Sequence, residues 1–510
     1  MWQRYTFKDV RNIGHFLGVI LLFGAVAMAA PLLVAVVFHE WDAAVRYSFA
    51  VGIAFFLGAG LRMLRIMPGQ MTRQQAIAVT GLAWMMLALV GAIPLVMSPH
   101  YGSYHDALFD AVSAFTTTNV TIVSDMNHLS HADNMWRFAM NFSGGLGLMV
   151  VGLSLGIFGP MANSTLYSSE GRSEHVLPNV VQTARFIFRF TIVFIVLVGT
   201  LLGGILLAQG MKPPQAMMHG IWLAMSGFMT AGVTPMSTSI VYYHSMALES
   251  VLMVIMIFGS VNFALQAEIW VGRTVSFFRD TEVRAGAIWW LFMLAAFVVA
   301  MCSGAAASSQ LNLNALPTLM RTSMFQFVAH ATTTGFTTFT LVQMGLLPSG
   351  AVLVLTLLMS VGGSAGSTSG GIKLQRLAII AKAAFETVKN VSSSDSARIV
   401  TSYFHIGRRK LNAPEIREAM TVFILFITMY LVGALAGIVC GQDAIKSITE
   451  SVAMASNSGV TAGLSSTSMP LGLKYIYMLE MWMGRLEYVA LISLGVKIFV
   501  SVKPRIRKRG

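Results

Sequence analysis

Long apolar runs separated by short polar breaks recur along the whole chain. They lie near residues 13–38, 46–66, 75–98, 134–160, 184–210, 245–273, 284–308, 348–373, 414–441 and 470–500, ten in all. Each is long enough for a helix to cross a hydrocarbon layer of roughly 30 Å. The pattern predicts a polytopic helical membrane protein. The first run follows Arg4, Lys8 and Arg11, is too long for a signal-peptide core, and leads to no A-x-A site followed by a soluble domain. It reads as a retained helix.

Four shorter stretches with helical character lie between these runs: DALFDAVSAFTT, HGIWLAMSGFMT, TSMFQFVAHATT and KSITESVAMASN. At about a dozen residues each they are too short to cross. Each passes into a polar loop: TTNVT at 117–121, TAGVT at 230–234, TTGFT at 333–337 and NSGVT at 457–461. Every loop ends in Thr, two residues past a Gly or Asn. Two leading spans (1–70) therefore precede four units of span, short helix, loop and span, at 71–165, 166–280, 281–392 and 393–510, the last with a basic tail. Such repetition outranks any single motif.

Irregular backbone at membrane depth is tolerated only when buried in protein or lining water. Four loops around one axis can aim their carbonyls at a common line and replace the hydration shell of a cation. Glycine allows the alternating dihedrals this needs. The negative dipole end of each short helix also favours a cation there. Four hairpins that merely pack would not require a shared threonine beyond the glycine position.

Composition agrees with a membrane protein. The 510 residues have a mean hydropathy of +0.70 and 11% charged residues, where soluble domains carry about 25%. The net charge of +13 does not point to nucleic acid. Most Lys and Arg fall on the side that holds both termini, the positive-inside bias of a protein whose ends are cytoplasmic. The tail KPRIRKRG suits a membrane-surface anchor. Cys302 and Cys440 sit in apolar runs, which excludes a disulfide or cysteine-metal framework. No nucleophile–base set, metal cluster or nucleotide motif appears, so an enzyme is disfavoured.

Other features stand out. GGSAGSTSGGIK (362–373) lacks the spacing of a phosphate loop and follows no strand. Either it is a small-residue packing face or its glycines, at about 1 kcal/mol each in a helix, break the span. Arg485 is the one Lys or Arg well inside a run. It faces a cavity or pairs with Glu480 or Glu487. His100, His105, His128 and His131, with Asp106, Asp125 and Asp133, predict a solvated, cation-attracting outer vestibule rather than a tight metal site. Asp110 and Glu450, nine residues before Asn119 and Gly459, are placed to anchor the short helices or to hold the loops by accepting backbone N–H groups.

With these loops, WRFAMNFSGGLGLMVVGLSL at 136–155, the glycine run and GRLE at 484–487, the chain resembles the Trk/Ktr/HKT superfamily of potassium transporters over essentially its whole length. Within it, the bacterial TrkH/TrkG branch is the nearest match. The resemblance implies an all-α polytopic membrane protein, not an enzyme, with four membrane–pore–membrane repeats around one central pore and two leading helices. It implies potassium as substrate, no covalently bound cofactor, and a filter whose backbone carbonyls come from Thr117, Thr118 and Asn119; Thr230, Ala231 and Gly232; Thr333, Thr334 and Gly335; and Asn457, Ser458 and Gly459. It implies a gate in which the segment of Gly362, Gly363, Gly366, Gly370 and Gly371 blocks the pore, Arg485 acts as a positive barrier, and Lys373 sits at the cytoplasmic mouth. It further implies a homodimer in the bacterial inner membrane, embedded in lipid, with a cytosolic nucleotide-binding ring of the TrkA kind against segment 373–417. Nucleic acid is not an implied partner.

Asn119 departs from the family, which usually has Gly there; a plant subgroup with Ser favours sodium. Its carboxamide points either behind the loop or into the pore. The expectation is potassium preference with poorer sodium rejection. The rivals are a weakly selective cation transporter of the same fold and an alternating-access solute carrier, which the parallel repeats disfavour.

Overall fold

Two long helices open with the same device. Thr6 and Thr72 each accept the N–H three residues on, while Asp9 and Gln75 accept the N–H of the capping threonine. The computed structural model describes residues 4–64, 71–123, 125–147, 150, 153, 180–270, 272–308, 316–394, 401–405, 407–486 and 488–503. Among these, six helices are long and apolar enough to cross a membrane: Phe7–Val37, Trp41–Arg62, Arg73–Val96, Val181–Ala208, Thr281–Ser303 and Ala413–Val439. The first is interrupted at Met28.

Burial orders these helices. The apolar stretch of Arg73–Val96 is 67% buried, whereas that of Thr281–Ser303 is 17% buried. The outer helix presents Ile288, Leu291, Phe292 and Val299 outward. Exposed leucines and phenylalanines on a helix of this length face lipid, which solvates them as well as a core would. The shorter helices are the reverse. Tyr104–Phe115 is buried without interruption from Asp106 to Phe115, and Ala444–Ala455 from Thr449 to Ala455. With 12 residues each, they extend only about 18 Å. Pro213–Phe228 and Leu316–Ala331 are the other two.

Ten apolar runs are expected from the sequence, with a break in one of two readings of the glycine run; the structure adds breaks in others. The spans that follow the short helices are interrupted. His131–Leu146 ends at Gly147, with φ 91°. Met246–Gly259 and Phe263–Trp270 meet at 108°. Ser349–Ser360 gives way to the glycine run. Leu471–Arg485 and Val489–Val502 are separate helices. Three of these ends share one contact. Gly144, Gly259 and Gly484 lie so close to the last carbonyls of the short helices, at Phe115, Phe228 and Ala455, that a Cβ would collide.

The first long helix is tied at its start to two later ones. The Tyr5 N–H donates to Ser501 Oγ at 2.8 Å, and Gln75 Nε2 to Asp9 Oδ1 at 2.7 Å. One departure from an all-helical chain is an antiparallel pair, Ser402–His405 with Gly407–Lys410. Phe404 N–H donates from it to Thr281 Oγ1 at 3.0 Å. The tail beyond Lys503 and Glu487 fall outside the described residues.

Candidate functional site

Each short helix ends in the same turn. Thr118, Ala231, Thr334 and Ser458 donate their N–H groups at 2.9 Å to the carbonyls of Ser113, Ser226, Ala329 and Ala453. The residues on either side are left-handed in all four loops: Thr117 (φ 59°) and Asn119 (57°), Thr230 (47°) and Gly232 (72°), Thr333 (53°) and Gly335 (87°), Asn457 (53°) and Gly459 (72°). A β-branched threonine in that region is a genuine outlier, costing on the order of 1–3 kcal/mol and concentrated at functional sites. A residue of negative φ between two of positive φ turns successive carbonyls to one side, the arrangement that carbonyl ligands of a cation require.

The loops touch in sequence order and close on themselves. A Cβ on Gly232 would collide with the carbonyl oxygen of Thr334, one on Gly335 with that of Ser458, and one on Gly459 with that of Thr118. At the remaining junction Asn119 Nδ2 donates to the Ala231 carbonyl at 2.7 Å. Asn457 Nδ2 donates to Thr118 Oγ1 at 3.0 Å across the fourth-to-first contact. The loop residues named from the sequence thus lie in one ring of contacts.

Buried acceptors on the short helices pin the far ends of the loops. Asp110 accepts Ile122 N–H at 2.9 Å, Thr121 Oγ1 at 2.6 Å and Tyr101 OH at 3.0 Å. Glu450 accepts Ala462 N–H at 2.6 Å, Ser465 N–H at 3.2 Å, Ser465 Oγ at 2.5 Å and Thr461 Oγ1 at 3.0 Å. Between the two roles open for these acids, holding the loops is the one that the hydrogen bonds display. Gln326 takes the corresponding place in the third loop and accepts Thr338 N–H at 3.2 Å. In the second loop Arg137 donates instead to the Thr234 carbonyl at 3.3 Å. Neither residue was identified from sequence. Gln326 was legible, since it sits as far before Thr333 as Asp110 before Thr117.

The glycine run breaks the span and lies against the loops. Gly366 (φ 68°) and Gly371 (φ 65°) are left-handed. Thr368 Oγ1 donates to the Phe228 carbonyl at 3.0 Å and lies 3.1 Å from Thr230 Oγ1. Ser369 Oγ meets Thr333 Oγ1 at 2.8 Å, and Gly370 N–H donates to the same threonine at 2.9 Å. A Cβ on Gly370 would strike the Ser456 carbonyl. The run therefore touches the first residues of the second and third loops and the end of the fourth short helix. Gly362 and Gly363 are tied within it, Gly362 N–H to Ile372 O at 3.0 Å and Gly363 N–H to Ser369 Oγ at 2.7 Å.

Arg485 fastens this run to the end of His131–Leu146. Its guanidinium donates to Thr368 O at 2.8 Å, Gly144 O at 2.7 Å and Gly145 O at 3.0 Å. Glu480 instead takes Ser451 Oγ at 2.8 Å. The alternative pairing with Glu487 falls outside the described residues. Lys373 Nζ donates to Ser369 O. Lys373, Arg376 and Arg485 line one small cavity of about 50 Å³ with the glycine run in its wall.

The outer vestibule expectation is corrected. Asp133 is buried and bound to Arg46 at 3.1 Å and Tyr47 OH at 2.9 Å. Asp106 is buried against Lys474 at 2.6 Å. His131 meets Glu40 at 2.8 Å, and His105 meets Tyr475 OH at 2.8 Å. These carboxylates were expected to attract cations, but their charges are already compensated from distant parts of the chain. Only Asp125, with His128 at 2.7 Å, forms an exposed pair among them.

Sequence reasoning also missed a buried cluster at the foot of Thr281–Ser308. Asp280, Glu282 and His405 bring ligand-type atoms within 4.8 Å of one another. Asp280 meets His405 Nδ1 at 3.0 Å, and Glu282 Oε1 accepts Ala365 N–H at 2.5 Å. The β-hairpin is thereby linked to the glycine run through short hydrogen bonds.

Comparison with known proteins gives the family of the chain. The family model described as TrkH, cation transport protein, matches residues 47–502. An uncharacterized cation transporter of Methanocaldococcus jannaschii is 29% identical over 508 residues, 99% of each chain. The Trk system potassium uptake protein TrkH of Escherichia coli is 26% identical over 503 residues, 96% of this chain and 99% of that one. The crystal structure of the potassium transporter TrkH from Vibrio parahaemolyticus superposes with a TM-score of 0.78 at 22% identity, covering 97% of this chain and 99% of that one. A polytopic helical membrane chain with this full-length correspondence belongs to the TrkH family of cation transport proteins.

Proposed function

We propose that the chain is a channel-like potassium uptake protein of the bacterial inner membrane, with both termini cytoplasmic and the four repeats of 71–510 around a single pore. The observation that carries this reading is the shared left-handed pattern of the four loops, joined in one ring. Carbonyls of Thr118, Ala231, Thr334 and Ser458 would replace part of the ion's hydration shell. Uptake would be driven by the membrane potential, about 2.3 kcal/mol per charge per 100 mV. The glycine run and Arg485 would block the pore beneath the loops and move when it opens. The names of the E. coli and Vibrio relatives, which state potassium uptake and transport, support the same substrate.

A homodimer working with a cytosolic nucleotide-binding ring completes the reading, the ring meeting segment 373–417. Support comes from that segment's basic character and from the hydrogen bonds that run from the hairpin to Glu282 and the glycine run. Potassium or rubidium uptake into proteoliposomes under an imposed potential tests the transport reading. Uptake that saturates with potassium is expected; its absence in folded, reconstituted protein overturns it. Cross-links from a co-purified ring that avoid 373–417 would overturn the docking assignment.

A further inference from the structure

We propose that Asp280, Glu282 and His405 form a binding site, apart from the pore loops, for a transition-metal dication of the zinc class. The residues come from two distant segments, the turn that opens helix Thr281–Ser308 and the first strand of the hairpin. Their ligand atoms lie within 4.8 Å of one another, and none of the three is more than 1% exposed. Asp280 Oδ2 stands 3.0 Å from His405 Nδ1. Two ligands held about 2.0–2.1 Å from one zinc ion at the tetrahedral angle stand roughly 3.3 Å apart. The observed pair is close to that spacing.

Other contacts aim these side chains. Asp280 Oδ1 accepts the Glu282 N–H at 2.8 Å. One oxygen thus caps the helix while the other meets the imidazole. Glu282 Oε1 accepts the N–H groups of Ala365 at 2.5 Å and Gln375 at 3.3 Å. Phe404, beside His405, donates its N–H to Thr281 Oγ1 at 3.0 Å and holds the strand against the helix. Hydrogen bonds behind metal ligands fix their orientation and tune their affinity. The two acids are therefore buried, oriented from the backbone and joined by a nitrogen donor, unlike a surface cluster of carboxylates.

The donor set selects the ion. An imidazole nitrogen beside carboxylate oxygens suits zinc and its first-row neighbours, whereas magnesium and calcium take oxygen ligands. A dication with two carboxylates and a neutral imidazole sums to zero charge, the state that burial favours. Ligation through His405 Nδ1 displaces the proton between it and Asp280. That proton passes to Nε2 when the ring is neutral and to solvent when the ring is charged. The ion joins the hairpin to the helix directly, and through Glu282 it reaches the glycine run.

The test uses the full-length protein in detergent, stripped with a chelator, then titrated with zinc chloride by calorimetry and with cobalt(II) chloride by its visible spectrum. The parent should take up one zinc ion per chain. Affinity should fall about tenfold or more in His405→Gln and in Glu282→Gln, the loss that follows removal of a ligand or its support. It should be unchanged in His128→Gln, which alters the exposed outer pair. His405→Cys carries the test if the glutamine variants do not fold. A thiolate is itself a metal ligand, so this variant should bind cobalt(II) with a thiolate-to-metal absorption band that the parent lacks. A parent that binds no zinc overturns the proposal, as does parental affinity in folded His405→Gln and Glu282→Gln. Loss of the ion in His128→Gln, or a cobalt spectrum of His405→Cys that matches the parent's, overturns it as well.

Discussion

Replacing Glu450 tests whether the loops are held from behind. The carboxylate is completely buried and receives two backbone N–H groups and two hydroxyls from the chain just past the fourth loop. In Glu450→Gln one oxygen becomes an NH2 group. Placed opposite Ala462 it would face an N–H that now lies 2.6 Å from oxygen, so the amide must turn the other way. Ser465 Oγ can then reorient to accept, and only the Ser465 N–H is stranded. One lost bond to a charged acceptor amounts to about 1.5–3 kcal/mol. Glu450→Ala strands both N–H groups, an upper bound of about 3–6 kcal/mol; Gly463 and Thr461 lie near the surface, so water entry brings the expected loss to the lower end. The assay is thermal unfolding of the detergent-solubilised protein, paired with potassium and sodium flux in vesicles. Alanine should destabilise more than glutamine, and both should lower the potassium-to-sodium ratio by loosening the fourth loop. His128→Gln, at an exposed ion pair, is the control and should change neither. If both Glu450 variants match the parent in stability and ratio, the acceptor does not hold the loop and the reasoning is wrong.

Arg485→Ala removes three hydrogen bonds that fasten the glycine run and should raise potassium flux severalfold, as should deletion within 365–370; if neither folded variant exceeds the parent in vesicle flux, the run is not a gate. Glu282→Gln weakens the acceptor of the Ala365 and Gln375 N–H groups and should raise basal flux without altering the potassium-to-sodium ratio; a changed ratio would place its effect in the loops. Burial pushes the Glu40 carboxyl up, but hydrogen bonds from His131 and the Ala132 N–H outweigh it and hold the group below the ordinary 4.5. A depressed value means that its stabilisation is present above 4.5 and is lost as pH falls through the folded value. The advantage of the parent over Glu40→Gln in thermal unfolding should therefore be full at neutral pH and shrink below about 4.5; a constant difference down to acid pH would show the pair contributes nothing through titration.

The long spans and the loops were legible because each is written in consecutive residues: apolar length for the first, a recurring threonine after Gly or Asn for the second. The breaks in the later helices were not. Apolar residues continue across Gly259 and across Leu486, so hydropathy counts one run where the backbone makes two helices. Beside those breaks lies the carbonyl of a short helix from earlier in the chain, a contact no window of sequence contains. Only the third break showed, since five glycines in GGSAGSTSGGIK disfavour a helix on their own. The outer acids were misjudged for the same reason. Asp133 is compensated by Arg46 and Asp106 by Lys474, at separations that charge patterning does not reach. The role of Glu450 was one of two left open, and it was decided by N–H groups a dozen residues further on.

The closed circuit of loop contacts has an evolutionary consequence. A pore made from four copies of one subunit must accept every substitution four times over, so a side chain in place of a junction glycine would have to fit at all four junctions at once. In this chain the four loops are encoded separately, and one can drift while its neighbours stay fixed. The collisions at Gly232, Gly335 and Gly459 show how narrow the passage is: a side chain can enter a junction only if its own loop yields and a partner elsewhere receives it. Asn119 had that partner in Asn141. Changes at one such position therefore should arrive in matched pairs, asparagine with a second amide on the following helix, and intermediate ancestors carrying only one of the two would mark the order in which the asymmetry was acquired.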